Sequence, residues 1–195
     1  MSLLYAFKQS VLDLGRGEAK TKAKPLLLGD EQLDRSASGL DRRASERSVM
    51  FWLLSDRALF LVVGSDPDDE AFRIPYEAIG EMNLDYDETA TFLPWYVRVA
   101  IAPDGPGVIT RLVPGNTPGQ PLGTLPPVDI DATTRKALAR GEIMPLSGFA
   151  ACPPRFRGAL KRRMELTNGP LVITGEEAAD RKARASKPKK RTKGA

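Results

Sequence analysis

The chain has 195 residues, 42% hydrophobic and 28% charged, which suits one domain with a sizeable core plus appendages. Its one cysteine, Cys152, excludes an internal disulfide framework and sites built on several thiolates; the lack of any histidine excludes Ser-His-Asp and Cys-His catalysis and histidine-bound zinc. Eight of the 29 basic residues and none of the 25 acidic ones lie from Arg181 onward, so the first 180 residues carry 21 against 25, a net charge of −4, and the positive total belongs to the tail.

Leu3, Leu4, Phe7, Val11 and Leu14 recur at helical spacing and predict an amphipathic helix over residues 1–15, stopped by Gly15-Arg16-Gly17. Only Lys8 lies inside it as a cation, so the stripe suits packing on the domain, or on a second copy in a homodimer, better than docking on a membrane. The same residues lack the pattern of a signal peptide. Residues 18–24 are polar and lysine-rich and read as a linker ending at Pro25.

Short strands separated by turns are expected next. Val49–Leu54 and Ala58–Val63 are apolar runs of strand length, far short of the ~20 residues that span a bilayer, and Ser55-Asp56-Arg57 between them suits a tight hairpin. Residues 64–69 read as a loop, and Phe72-Arg73-Ile74 as a strand. In Ile79–Tyr86, Ile79, Glu81 and Asn83 alternate with Met82, Leu84 and Tyr86. Trp95–Ala102 has the clearest period of two, with Val97, Val99 and Ile101 on one face; Val108–Val113 is a further strand, and residues 32–38 could supply a seventh.

Residues 115–127 hold four prolines and read as an irregular connection. Asp131–Arg140 suits a short helix stopped by Gly141. Pro153–Thr167 suits a longer one, with Phe156, Leu160 and Met164 at steps of four and Arg155, Arg157, Lys161 and Arg162 on the other side. The organisation read from these signals is an N-terminal helix (1–15), a domain (26–174) with a Pro/Gly-rich insert at 114–151, and a basic tail (175–195) that is disordered by composition.

Several of these features come in a familiar order. Leu28-Gly29-Asp30-Glu31 precedes the apolar strand Phe51-Trp52-Leu53-Leu54, the Ser55-Asp56-Arg57 hairpin, the strand Ala58-Leu59-Phe60-Leu61 and the element Arg73-Ile74-Pro75-Tyr76-Glu77-Ala78-Ile79. In this order and spacing the chain resembles the pleckstrin-homology-like superfamily, especially bacterial PH and GRAM-type domains, over residues 28–113 or so. The resemblance implies an α+β, mainly β fold: a PH-like barrel of two bent antiparallel sheets closed by a C-terminal helix, with Pro153–Thr167 in that place.

The expected function is a non-catalytic binding or adaptor module that recognises a protein or an anionic membrane surface, without cofactor, metal or catalytic residues. Cytoplasm is the expected compartment, with the inner membrane face as the place where an anionic surface would be met. Arg42, Arg43 and Arg47 stand where phosphoinositide-binding relatives carry cations, and are the candidate anion or lipid contact; Asp41 and Glu46 are interleaved with them, as on an ordinary solvated loop. The alternative is a nucleic-acid-associated protein, whose tail (Arg181, Lys182, Arg184, Lys187, Lys189, Lys190, Arg191, Lys193) contacts polyanion non-specifically, having no aromatic residue to stack on bases. Asp66, Asp68, Asp69 and Glu70 cluster carboxylates but lack the glycine and downstream bidentate acid of a calcium loop, and they read as a charged hairpin tip, as do Asp85, Asp87 and Glu88. Cys152, before Pro153-Pro154, has neither a thiol nor a histidine partner to make it a nucleophile.

Overall fold

The computed structural model describes residues 15–41, 49–64, 70–89, 95–113, 115, 120, 122–142, 147–151, 153–167 and 171–173. In chain order they form α1 (residues 15–23), β1 (Arg35–Asp41), β2 (Val49–Leu54), β3 (Ala58–Gly64), β4 (Glu70–Pro75), β5 (Ile79–Tyr86), β6 (Trp95–Ile101), β7 (Thr110–Leu112), β8 (Val128–Asp129), α2 (Ala132–Arg140), β9 (Ser147–Ala151), α3 (Pro154–Leu166) and β10 (Leu171–Ile173). No helix among the described residues is long and apolar enough to cross a membrane.

The strands make one sheet in the order β10-β5-β6-β9-β1-β2-β3-β4-β7-β8, antiparallel except for the β10–β5 pair. The class is α+β and mainly β, with a helix after the main strands, but the expected barrel does not close. The edges that would have to meet are already taken: β7 pairs with β4, and β10 with β5. Two antiparallel meanders, β1 to β4 and β5-β6-β9, are thereby joined edge to edge through the β1–β9 pair. β9, the central strand of that junction, lies inside the segment read as an insert; Ser-Gly-Phe-Ala-Ala carries almost no strand signal of its own.

Hairpin β2–β3 shows why its two strands are apolar throughout. Met50, Trp52, Leu54, Leu59 and Leu61 face the main core, while Leu53, Ala58, Phe60 and Val62 face a second cluster on the opposite side. A strand covered on both faces needs no polar alternation. The outer cover comes from α1 and the 3₁₀ turn Lys24–Leu26, through Ala19, Ala23 and Leu26, all buried.

This cover differs from the linker expected over residues 18–24. The helix runs through Gly15 and Gly17 as well, at a cost of about 1 kcal/mol each, which the joint burial of Ala19, Ala23 and Leu26 offsets, Leu26 alone contributing about 1.5–3 kcal/mol. Gly15 also permits close approach, since a Cβ there would lie 2.5 Å from the ring of Phe51. Residues 1–14, with the stripe from Leu3 to Leu14, lie outside the described residues.

β5 departs from strict alternation. A register shift between Ile79 and Glu81 leaves Gly80 as the irregular residue, so Ile79 joins Met82 and Leu84 in the core while Glu81 points to solvent. Beside it, β6 buries Val97, Val99 and Ile101 on one face, as its period of two predicts. α3 then packs Phe156, Leu160 and Met164 into the main core, each fully buried, where each contributes on the order of 1.5–3 kcal/mol.

Candidate functional site

Two of the motifs that carry the resemblance meet each other. Arg57 Nη2 donates to Asp30 Oδ1 at 2.7 Å, and Ser55 Oγ donates to Glu31 Oε1 at 2.5 Å. Glu31 also accepts from Arg73 Nε at 3.0 Å and from the backbone N–H of Leu28 at 3.1 Å. Desolvation pushes the Glu31 carboxyl up, but the donors from Arg73, Ser55 and Leu28 outweigh it and hold the group below the ordinary glutamate value. Tyr76, whose hydroxyl donates to the Ser55 carbonyl at 3.0 Å, has its pKa raised mainly by burial. This network clamps the residues before β1 onto hairpin β2–β3 and β4. An open groove of about 650 Å³ beside it is lined by Arg57, Arg73, Leu28 and Val108, among others. Both arginines there already hold carboxylates, and Glu77 and Asp129 also line the groove, so it offers little free positive charge.

A second groove is different in kind. α3 begins at Pro153-Pro154, whose fixed φ suits a first turn, and the Phe156 N–H is satisfied by the Pro153 carbonyl at 2.9 Å. With Phe156, Leu160 and Met164 turned into the core, Arg155, Arg162 and Arg163 are left along the flank that faces the start of β1. Arg163 is fixed there: its side chain is 15% exposed, its Nη2 donates to Asp34 Oδ2 at 2.7 Å, and its Nη1 is buried without a hydrogen-bond partner.

The resulting groove, about 600 Å³ in volume, is lined by Arg35, Arg155, Arg162 and Arg163, with Asp34 and Asp56 also on its wall. Gly158 and Ala159 keep its helical side low; a Cβ added at Gly158 would meet nothing within 4 Å. Leu166, 75% exposed, stands at its end. The two acids have partners, Asp34 in Arg163 and Asp56 in Arg57 at 3.5 Å. Among the described residues no carboxylate pairs with Arg35, Arg155 or Arg162; Arg35 donates only to the Asp34 carbonyl, at 2.8 Å. Three guanidinium groups with free donor edges therefore surround one concavity. Such groups pair in bidentate fashion with carboxylate or phosphate oxygens.

The residues singled out from sequence fall elsewhere. Arg42, Arg43 and Arg47, the tail cations Arg181, Lys182, Arg184, Lys187, Lys189, Lys190, Arg191 and Lys193, and Cys152 all lie outside the described residues, as do Asp66, Asp68 and Asp69. Glu70 opens β4 and is ion-paired with Arg111. Asp87 accepts from the Thr89 N–H at 2.9 Å and from its hydroxyl at 2.6 Å, as a turn residue does. Arg157, read as part of α3's polar side, lies over the Trp95 ring, 4.1 Å from its centroid. Missed altogether were Arg35 and Arg163. The seven-residue step from Arg155 to Arg162 hinted at a common helix face, but only the packing of α3 on β1 brings Arg35 to it.

No family model matches the chain, and no curated protein matches it. Among solved structures, the chain is similar to the hSac2 domain from human phosphoinositide phosphatase Sac2, at 12% identity over 89% of this chain and 91% of that one, with a TM-score of 0.39.

Proposed function

We propose that the chain is a non-catalytic binding module on a PH-like frame, and that it takes an anionic partner in the groove beside α3. The observation that carries this reading is the set of three guanidinium groups, Arg35, Arg155 and Arg162, around one concavity with no carboxylate committed to them among the described residues. Arg163 and Asp34 hold the helix in place beneath them. The frame is supported by the two joined meanders, by the C-terminal helix that fills the core, and by the bonds between the Leu28–Glu31 and Ser55–Arg57 motifs.

The groove is preferred to the loop of Arg42, Arg43 and Arg47 as the contact. The groove's arginines lie among the described residues and converge on one concavity, and from Arg35 the strand β1 runs on to Asp41, about 20 Å at ~3.3 Å per residue. Nuclear magnetic resonance titration of the labelled protein with a glutamate-containing peptide, and separately with inorganic phosphate, tests the assignment. Amide shifts should move for residues 34–35 and 155–166; shifts confined to other residues, or none, would refute it.

A further inference from the structure

We infer that the occupant of this groove is an extended acidic segment of a partner protein, with an apolar side chain following its carboxylates. The inference rests on the anion-binding reading above and narrows it.

The first argument is shape. Arg155, Gly158, Ala159, Arg162 and Leu166 share one flank of α3, and eleven residue steps at 1.5 Å give a trough roughly 16 Å long, the length of about five extended residues. A concavity of about 600 Å³ with a low Gly-Ala side receives a chain, whereas a bilayer presents a broad surface that would rest on the rims. The second is the placing of charge. Arg155 and Arg162 are seven helical residues apart, about 10 Å, which two acidic residues three positions apart in a polyproline-II peptide can match from one side, since that extended helix has three residues per turn and rises ~3.1 Å per residue. Leu166 lies about 6 Å further on and, at 75% exposure, offers an apolar contact to the next side chain on that side of the peptide.

The third argument is what the groove repels. Asp34 and Asp56 lie on the same wall, and the first 180 residues have a net charge of −4. A continuous anionic surface would meet those charges together with the arginines. A peptide can set carboxylates at the arginines and uncharged residues at the acids. Charge complementarity therefore favours a short, patterned ligand.

The test uses the full chain and a fluorescein-labelled peptide with two glutamates three positions apart and a leucine three positions beyond, measured by anisotropy at about 0.15 M salt, where distant charges are screened. Binding should weaken about tenfold or more in R155E/R162E, a change of about 1.4 kcal/mol or more. It should weaken also when the peptide glutamates become glutamine, and about threefold in Leu166→Ser. The R155Q/R162Q variant, with an unchanged circular dichroism spectrum, guards against loss through misfolding. Arginine-dependent binding of phosphatidylserine vesicles or duplex DNA, without binding of the peptide, would overturn the inference and leave the anion-binding groove standing. If no anionic probe distinguishes R155E/R162E from the parent, the inference and the function proposed above fall together.

Discussion

Glu31 and Arg73, 42 positions apart, form an ion pair at 3.0 Å in which the Glu31 side chain is fully excluded from solvent and that of Arg73 is 7% exposed. Each charge is tolerable in the interior only because the other is present. Glu31→Ala should therefore destabilise the domain by about 3–5 kcal/mol in denaturant unfolding, since Arg73 would be left as a buried unpaired cation. Adding Arg73→Met to that variant should recover part of the loss, which identifies the orphaned charge as its main source.

The same pair gives the domain an acid limit. Because the Glu31 carboxyl is held below its ordinary value in the folded state, its ionised form contributes stability that is fully present above the unfolded value, about 4.3. That contribution is lost as pH falls through the lower folded value. The stability gap between the parent and Glu31→Gln should be constant from about pH 6 to 7 and shrink below about pH 4. A gap that widens on acidification would show that the carboxyl is raised instead.

α3 is held mainly by its apolar side; of its arginines, Arg163 is anchored to Asp34 while Arg155 is exposed. Leu160→Ala should cost about 2–5 kcal/mol, as large-to-small changes at fully buried sites do. Gln substitution of the exposed Arg155 should change the thermal midpoint little. Comparable losses at the two positions would mean that the helix is seated differently.

At the end of α2, Gly141 adopts φ 71° and ψ 25°, and its N–H satisfies the carbonyls of Ala137 and Leu138. Gly141→Ala should lower stability by about 1 kcal/mol, the strain of a left-handed L-residue. Thermal unfolding would detect this as a lower midpoint.

Much of the fold was legible because local pattern and burial agree. The hairpin around Ser55–Arg57, the period of two in β6, the Asp131 cap with its Thr134 N–H bond of 2.7 Å, and the step of four from Phe156 to Met164 all appear where the residues predict them. What was not legible depends on partners distant in sequence. β9 is a strand because β1 and β6 flank it, and α1 passes through two glycines because the outer face of β2–β3 needs cover. The open sheet follows from β7, legible as part of Val108–Val113 but not in its pairing with β4, and from β10, whose three residues are too short to read in isolation. Of the groove, only the cations of α3 could be seen in the sequence; Arg35 and Asp34 reach it across more than a hundred residues, and Arg163 was hidden among four other basic residues of the same helix.

Whether the groove or the tail holds the anion is the central question, and one affinity comparison decides it. The glutamate-leucine peptide is titrated by calorimetry into three proteins: the full chain, a chain ending at Thr174, and full-length R155E/R162E. The groove account predicts that the shortened chain keeps its affinity within about threefold, while charge reversal weakens binding about tenfold or more. Loss of binding on removal of the eight tail cations, with R155E/R162E binding as the parent does, would contradict it.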